Sequence, residues 1–526
     1  MGVRDEVLGR LRSAETGNDE VRFAAIGGPL EAIWREALRE LDRSIRPVTG
    51  AAAVLVEGAD YPGTWLESTA TISTDVLARF RPDVARETHL LFARLQRDDG
   101  MLPYKITDDG PAFSQIQLVS PLARSVWTQY RLGVGGTEYL RTMYDAMAKY
   151  DAWLCDYRDT RGTGAVEAFC TFDTGHDLSP RFWFLPDRAM HADARRYDPA
   201  YPTLPYVAPD LTANVACQRS YLAMIAAELG LDPEPWRRKA AASTAALFAQ
   251  CFDEYDAAFY DRDAHGEPVR MLTDVMLRVF ACEVGDAALF ETVLRRYLMN
   301  TRVFLAHYGF TSLAMDDPRF DHDFTRNSWG GPSNLLSLLR SPHAFEHHGH
   351  VAELALASQP VVAAIAGADR FPQCLDPWSG AAGYGSAYSP AILWFLDAVE
   401  RYFGVMPAPA GLWFSGLTPT RLEHGTAATA TAHSRTVDGV TFELVGDDAA
   451  VTVYRDGAEL LAFPRGWRVE ADRDGTPRTV VCLAAVPVAG ELVIDGHATT
   501  LAVAPNERVE IASGRCGGPA FIPPRF

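Results

Sequence analysis

The spacing of apolar residues changes once along this chain, and that change is the strongest constraint on its fold. From about residue 20 to residue 405, apolar residues recur at every third or fourth position, which is typical of amphipathic helices. Strand-like alternation is scarce over this part of the chain. The spacing predicts helices over residues 30–45, 84–95, 118–130, 139–157, 211–229, 236–252, 272–284, 288–299, 334–339, 350–366 and 390–402.

The C-terminal part of the chain has a different pattern. Apolar and polar residues alternate over residues 440–445, 450–454, 467–471, 479–485, 491–494 and 500–503. Asp-Gly pairs at positions 438, 456, 474 and 495 punctuate these runs, and Asp-Gly favours the tight turn of a β-hairpin. We therefore expect a helical domain over residues 1–424 and an antiparallel β-sandwich domain over residues 425–526.

A chain with close to a dozen helices in one domain can form a solenoid or a closed ring of helix pairs, the (α/α)6 barrel or six-hairpin toroid. Solenoid connections are usually short and uniform, whereas the connections here are long and carry aromatic and acidic residues. The sequence therefore favours a mainly α fold, an (α/α)6 barrel followed by the small β-sandwich.

Composition restricts the partners and the compartment. A formal net charge of −19 over 526 residues argues against nucleic acid or an anionic membrane as a partner, because both require a basic surface. The cysteines are scattered without a C-x-x-C pair, which favours a reducing compartment. The first residues lack the apolar core of a signal peptide. We expect a cytoplasmic protein, and the sequence leaves its oligomeric state open.

One loop concentrates side chains suited to sugar chemistry. Residues 169–182 read F-C-T-F-D-T-G-H-D-L-S-P-R-F, with two carboxylates, a guanidinium and several aromatic rings. Cleaving a glycosidic bond needs a carboxylic acid to protonate the leaving oxygen, and Asp177 is the candidate. Apolar neighbours such as Phe182 and Trp183 would raise its pKa by lowering the local dielectric. The alternative is that Asp173 and Asp177 only form turns or cap helices.

Further segments carry a resemblance to a known family. They read Y-P-G-T-W-L-E-S at 61–68, Q-R-D-D-G-M-L-P at 96–103, N-S-W-G-G-P-S at 327–333 and F-P-Q-C-L-D-P-W-S-G at 371–380. With the 173–181 loop, they resemble the six-hairpin glycoside hydrolases, particularly the mannosylglycerate hydrolase-like group related to trehalase and processing α-glucosidase I. The resemblance implies an inverting (α/α)6-barrel glycosidase, with Asp177 at the place of the general acid in a G-x-D-x-S-x-R loop.

The chain departs from this family pattern at the second catalytic group. Trehalase and α-glucosidase I carry a glutamate base before the Asp-Pro-x-x-Gly run, and Gln373 stands at the comparable position here. An amide cannot take a proton from water at neutral pH. Asp376, the nearest carboxylate in sequence, and Glu67, in a Trp-containing loop, are the two candidate bases.

Aromatic rings in Gly- and Pro-rich loops can stack on a sugar while amides and charged groups bind its hydroxyls. The candidates for substrate binding are Trp65, Asp173, Arg181, Asn327, Trp329, Gln373, Trp378 and Tyr384. Core packing is the alternative for each ring. We expect no cofactor and no metal, because nucleotide-binding motifs are missing and the pair Glu346 and His350 lacks a second ligand cluster at zinc spacing.

These observations predict a glycosidase that cleaves a small α-linked glycoside, with Asp177 as acid and Asp376 or Glu67 as base. Two related activities stay open. An inverting phosphorylase would use phosphate in place of a base, and a sugar epimerase or isomerase would transfer protons at carbon on the same barrel. A sugar-binding protein without turnover is a further alternative.

Overall fold

The computed structural model describes residues 2–13, 20–50, 52–117, 121–419, 427–512 and 515–516. The chain forms two compact units. Unit 1 comprises Met1–Arg39, Phe345–Asp369 and Trp394–Phe526, and unit 2 comprises Glu40–Ala344 and Arg370–Leu393. The predicted boundary between residues 424 and 425 lies outside the described residues, so the two-domain division at that point stays a prediction.

The described residues include thirteen α-helices. They are α1 (Val3–Ser13), α2 (Leu30–Arg43), α3 (Ser73–Phe80), α4 (Pro82–Arg94), α5 (Leu122–Arg131), α6 (Thr137–Tyr157), α7 (Pro209–Glu228), α8 (Glu234–Cys251), α9 (Val275–Phe280), α10 (Ala287–Val293), α11 (Leu335–His348), α12 (Val351–Gly367) and α13 (Ser389–Phe403).

Apolar spacing predicted most of these helices. Each predicted window coincides with a helix, although residues 118–120 of one window lie outside the described residues. The window 272–284 was too long, since α9 ends at Phe280, and α10 ends at Val293 before a π-helical turn, Leu294–Leu298. Helices α1 and α3 were not predicted. A carboxylate cap fixes the start of α10, where Asp286 accepts a hydrogen bond from the Leu289 backbone N–H.

Short strands in unit 2 join the loops between its helices. One three-stranded sheet contains Gly63–Trp65, Lys105–Thr107 and Gly110–Ala112, and one four-stranded sheet contains Glu167–Ala168, Tyr206–Val207, Asp261–Arg262 and Pro268–Val269. Four further pairs are Ile45–Pro47 with Ala53–Leu55, Phe252–Asp253 with Ala258–Phe259, Leu305–Ala306 with Gly309–Phe310, and Ser333–Asn334 with Cys374–Leu375. The last pairing brings the 327–333 and 371–380 segments together, although they are far apart in sequence.

Unit 1 contains two antiparallel sheets. One has the strand order Val21–Ile26, Ala430–Val437, Val440–Gly446, Ala450–Arg455, Ala458–Pro464, Val488–Ile494 and His497–Val503. The other has the order Val405–Ala408, Gly411–Ser415, Trp467–Ala471, Pro477–Cys482, Arg508–Ala512 and Arg515–Cys516. Buried side chains of both sheets, including Phe414, Phe442 and Trp467, form one apolar core. The predicted sheet-rich C-terminal region is therefore confirmed.

The Asp438–Gly439 turn follows from local chemistry, but several strands were not predicted, among them Ala430–Val437, Ala458–Pro464 and Val21–Ile26. Asp438 and Gly439 both have positive φ, at 52° and 80°, as the favoured type I′ turn requires. The expectation of helices from about residue 20 onward was wrong for Val21–Ile26, which forms an antiparallel strand against Ala430–Val437. Its partner lies some four hundred residues away, beyond the reach of local pattern.

The expectations about membranes, cysteines and the Glu346 side chain can be compared with the described residues. Among the described residues, no helix is both long and apolar enough to cross a membrane. None of the cysteines whose side chains are described forms a disulfide; Cys155 is exposed and the others are buried. Glu346 accepts hydrogen bonds from Arg401 and Arg468 within unit 1. The cytoplasmic location and the exclusion of nucleic acid and membrane partners stay predictions.

Candidate active site

The loop 169–182 lies in unit 2 and gives Asp177 an irregular backbone setting. Two short 3₁₀ turns, Thr171–Asp173 and Pro180–Phe182, lie near its two ends. Between them, Gly175 and Leu178 take positive φ values of 64° and 57°. Ser179, not Asp177, caps the second turn by accepting a hydrogen bond from a backbone N–H. Asp177 therefore lies in a turn without capping a helix.

Asp173 anchors the first end of this loop. Its carboxylate accepts hydrogen bonds from the backbone N–H groups of Phe169 (2.7 Å) and Ile116 (2.9 Å) and from Arg158 (2.6 Å). The side chains of Asp173 and Arg158 are both completely buried. Loss of either partner of this buried pair would leave an uncompensated charge. Asp173 therefore anchors the loop at this end.

Arg181 anchors the other end. Its guanidinium donates two hydrogen bonds to Asp261, at 2.5 and 2.6 Å, and two to Asp210, at 2.9 and 2.8 Å. All three side chains are buried. The planar guanidinium suits this paired recognition of two carboxylates, which ties the loop to helix α7 and to the strand Asp261–Arg262.

A buried layer of charged and aromatic side chains lies under the loop. Arg278 donates a hydrogen bond to the backbone oxygen of Thr174 (2.6 Å) and lies 4.8 Å from the ring centre of Trp329. His176 contacts the same indole ring at 5.0 Å, and its Nε2 atom lies 2.8 Å from Asp274 Oδ1. Burial lowers the pKa of His176 to about 4, so the imidazole is neutral at pH 7.

Asp177 is half-buried, and its carboxylate is poised to gain or lose a proton near neutral pH. Asn327 Nδ2 donates a hydrogen bond of 2.5 Å to Asp177 Oδ2. Burial raises the pKa of Asp177 to about 7 despite this hydrogen bond, and the charges on Glu67 and Asp187 add to the rise. A carboxyl group with this pKa is substantially protonated at pH 7, as a general acid requires.

Glu67 lies next to the loop, at the start of the π-helical turn Ser68–Ile72. Its carboxylate accepts hydrogen bonds from Arg340 (2.9 Å) and Gln117 (3.2 Å). A Cβ atom added to Gly175 would lie 2.3 Å from Glu67 Oε2, which shows how closely this carboxylate approaches the loop. Burial raises the pKa of Glu67, while Arg340 opposes the rise.

A third carboxylate, Glu57, belongs to the same cluster and was missed by sequence reasoning. It is buried, and its Oε1 atom accepts a hydrogen bond from the Tyr388 hydroxyl at 3.0 Å. Burial raises the pKa of Glu57 to about 8, with smaller contributions from Glu67 and Asp177. A single glutamate after the short strand Ala53–Leu55 carries no spacing signal that could have identified it.

Gln373 is linked to Asp177 by a line of hydrogen-bonded side chains. The Tyr61 hydroxyl donates to Gln373 Oε1 (2.9 Å), and Gln373 Nε2 donates to Asn327 Oδ1 (3.1 Å). Asn327 in turn donates to Asp177. The amide at position 373 is buried but hydrogen-bonded at both ends.

Asp376 has a different environment from Glu67. Its Oδ1 atom accepts hydrogen bonds from the backbone N–H groups of Trp378 (3.1 Å) and Ser379 (2.7 Å) and from the Ser379 hydroxyl (2.8 Å). His322 Nδ1 lies 3.0 Å from the other oxygen. Although burial opposes it, these hydrogen bonds lower the pKa of Asp376. The carboxylate stabilises the 376–380 turn.

The aromatic candidates divide by exposure. Trp329 is 1% exposed and lies in the charged layer, so its ring has no face open to a ligand. Trp65 and Tyr384 are partly exposed, and Trp378 is 47% exposed. Trp183, which was expected to lower the dielectric around Asp177, is 53% exposed.

Exposed apolar side chains also continue beyond Asp177 along the loop. Leu178 is 56% exposed and Phe184 is 87% exposed. With Trp183, they are three exposed apolar side chains within seven residues of the candidate acid in sequence. Their exposure could not be predicted from the sequence, because apolar residues of this size are usually buried.

The site combines a carboxyl group of raised pKa, two further buried carboxylates and partly exposed aromatic rings. Glycoside hydrolases use groups of these kinds. Comparison with known proteins confirms this class. The sequence profile of the mannosylglycerate hydrolase MGH1-like glycoside hydrolase domain matches residues 61–389. The chain belongs to that family and is a glycosidase. No curated protein sequence matches it significantly.

Solved structures share the fold at low sequence identity. The mannosylglycerate hydrolase of Thermus thermophilus, in complex with Tris and D-glycerate, is 19% identical, with a TM-score of 0.58 over 69% of this chain and 99% of that one. Neutral trehalase from Saccharomyces cerevisiae is 12% identical, with a TM-score of 0.52 over 66% and 73% of the two chains. A sialidase is also similar, at 12% identity and a TM-score of 0.60, over 85% and 41% of the two chains.

Proposed function

We propose that this glycosidase hydrolyses a small α-linked glycoside with inversion of configuration, and that Asp177 is its general acid. The observation that carries the proposal is the half-buried Asp177 carboxyl group, whose pKa of about 7 leaves it protonated in a large fraction of molecules at neutral pH. A proton donor of this kind can protonate the departing glycosidic oxygen. Burial, together with the neighbouring charges on Glu67 and Asp187, keeps the carboxyl group from ionising at lower pH.

The helices of unit 2 are proposed to contribute to an (α/α)6 barrel. Support comes from the family resemblance of the loop segments and from the fold shared with the Thermus enzyme. The antiparallel sheets of unit 1, with their common core, support the further proposal of a β-sandwich.

Glu67 is the better candidate for the base that activates water. Its pKa is raised, whereas that of Asp376 is lowered, and a group with a higher pKa is the stronger proton acceptor once ionised. Arg340 forms an ion pair with Glu67 at 2.9 Å and opposes the rise in its pKa that burial causes. Both oxygens of Asp376 are already engaged, one by the backbone of its own turn and the other by His322, so accepting a proton from water would disrupt existing hydrogen bonds.

Substrate contacts are proposed for the candidates that reach solvent. Trp65, Trp378 and Tyr384 present partly exposed rings, and Asn327 presents a partly exposed amide. The buried candidates Asp173, Arg181 and Trp329 act instead by holding the loop and its supporting layer. Gln373, also buried, acts through Asn327.

A phosphorylase is the second candidate, favoured by the amide at position 373. If phosphate replaces the activated water, no base is needed, and product release would depend on phosphate and yield a sugar 1-phosphate. Turnover in phosphate-free buffer that yields the free sugar supports hydrolysis.

The test uses a panel of α-linked glycosides that includes mannosylglycerate and trehalose, with products followed by proton NMR. We expect hydrolysis of at least one glycoside, with the inverted anomer forming first. The Asp177→Asn variant should lower kcat by a factor of about 10² to 10⁴ while the protein stays folded.

Asp187→Asn is the control for loss of a nearby charge alone: this exposed carboxylate contributes to the raised pKa of Asp177 but is not the proton donor, so the variant should retain activity within a few-fold. Near-normal turnover by Asp177→Asn would remove Asp177 from the mechanism. First formation of the retained anomer would contradict inversion.

A further inference from the structure

The hydrogen bonds that join Tyr61, Gln373, Asn327 and Asp177 all point in the same direction. Each amide accepts through its oxygen from the preceding group and donates through its nitrogen to the following one, at distances of 2.9, 3.1 and 2.5 Å along the line. An amide has its donor and acceptor at opposite ends of one plane, so the orientation of one amide determines that of the next.

Two orientations of this line correspond to two forms of Asp177. When Asn327 turns its nitrogen toward Asp177, it donates to the ionised carboxylate, as the structure shows. When Asn327 turns its oxygen toward Asp177, only the protonated acid can complete the hydrogen bond, because a carboxylate has no hydrogen to donate.

Gln373 is the member of the line held most firmly. Its backbone N–H donates to the Tyr384 carbonyl (2.8 Å), and its carbonyl accepts from the Leu335 N–H (2.9 Å). The side chain is buried, whereas Asn327 is only partly buried. Tyr61 cannot set the direction alone, because a hydroxyl group can donate or accept.

We propose that Gln373 is a positioning residue that fixes the orientation of the Asn327 amide and thereby determines whether Asn327 donates to Asp177 or accepts from it. This inference rests on the proposed role of Asp177 as the acid. In this role the Gln373 amide does not act as a base. It controls the proton on Asp177, the proposed acid.

Other groups that face Asp177 must be held constant in any test. Glu67 and Asp187 carry negative charge toward it and Arg278 carries positive charge, while the Glu57 carboxyl group and the Tyr61 hydroxyl also interact with it electrostatically. Substituting Gln373 with an uncharged residue leaves all of these charges in place.

The first variant is therefore Gln373→Met, which keeps the length and neutrality of the side chain but removes both hydrogen-bonding ends. Asn327 then loses the group that holds its oxygen, and the protonated acid can donate to it. We expect the Asp177 titration to move up by about one pH unit. The titration is read by infrared spectroscopy of protein labelled with ¹³C-aspartate, after subtraction of the Asp177→Asn spectrum.

The second variant, Gln373→Glu, keeps a hydrogen-bonding side chain at the position. Its carboxylate would accept from Tyr61 and from Asn327 Nδ2, which turns the Asn327 oxygen toward Asp177. We expect an upward shift larger than that of Gln373→Met, because a negative charge is added. If the Gln373→Met protein does not fold, this variant still tests the proposal.

The Asn327→Ala background decides whether the effect passes through Asn327. In that background we expect Gln373→Met to leave the Asp177 titration unchanged, and Gln373→Glu to shift it by less than half as much. An equal shift with and without Asn327, or no shift in either variant, would overturn the proposal. Because this readout needs no substrate, it distinguishes a failure of the positioning role from a failure of the proposed hydrolysis.

Kinetics provide a second readout. A general acid is active when protonated, so the basic limb of the kcat/KM profile should follow the Asp177 titration to higher pH in Gln373→Met. If the titration moves while the basic limb stays fixed, the positioning role stands and the assignment of Asp177 as acid fails.

Discussion

Single substitutions can distinguish the two candidate bases, Glu67 and Asp376, because the two carboxylates have different surroundings. Glu67→Gln removes the acceptor of a proton from water, and we expect kcat to fall by a factor of about 10² to 10⁴. Asp376→Asn should retain at least about a tenth of the activity, since asparagine can also stabilise a turn. Initial rates per folded molecule provide the measurement.

Thermal unfolding is needed beside these rates, because Glu67→Gln leaves the buried Arg340 without its charged partner. Added azide can attack in place of activated water, so it should restore product formation, as a glycosyl azide, in Glu67→Gln. A strong loss of activity in Asp376→Asn, with Glu67→Gln active, would reverse the assignment.

Sequence reasoning identified residue types better than roles. Asp177 was recognised because its loop matches a family motif and contains apolar residues that were expected to raise the pKa of a carboxyl group. The anchoring contacts of Asp173 and Arg181 could not be predicted, since their partners Arg158, Asp210 and Asp261 come from different elements and share no spacing with the loop. Burial, which separates an anchoring carboxylate from a substrate-binding one, depends on those distant elements.

The loop itself can be tested as an element through its one tightly enclosed glycine. Gly175→Ala would place a Cβ atom 2.3 Å from Glu67 Oε2, at a residue with a φ of 64°. We expect the variant to lose at least about tenfold in kcat, because both Glu67 and the Asp177 backbone must shift. It should also lose about 1 to 3 kcal/mol more stability than the control described next.

Gly162→Ala is the control, since Gly162 has nearly the same φ, 67°, but open space around its Cβ position. Both variants carry the backbone strain of a left-handed alanine and the same change in the unfolded chain. The difference between their unfolding free energies and rates therefore isolates the contact with Glu67. Equal effects in the two variants would show that this contact is unimportant.

Among secondary-structure elements, those defined by local pattern were predictable and those defined by distant partners were not. Helix α6 spans residues predicted from apolar spacing alone, and the Asp438–Gly439 turn follows from a two-residue signal. The pairing of Ser333–Asn334 with Cys374–Leu375 has no such local signal, yet it assembles the Asn327 and Gln373 segments of the site. The hydrogen bond between Asn327 and Gln373 joins the same two segments.

At the scale of the whole molecule, the N-terminal residues belong with the C-terminal sheets. The strand Val21–Ile26 pairs along its length with Ala430–Val437. Val7 and Leu11 of α1 pack in one apolar cluster with Ala432 and Val445. The sequence could not reveal this association, because a contact across four hundred residues leaves no periodic trace in either segment.

This association leads to a prediction about truncation. A chain ended after residue 424 would leave the strand Val21–Ile26 without its neighbour, and would remove Arg468 from the buried Glu346. Exposed strand edges and the loss of one of the two arginines that pair with a buried carboxylate favour aggregation and unfolding. We therefore expect residues 1–424 to be insoluble or to elute as aggregates in size-exclusion chromatography, whereas a chain ended after residue 516, which keeps every described strand, should remain folded. A monodisperse and active 1–424 fragment would instead show that the helical part folds alone, as the predicted domain boundary implies.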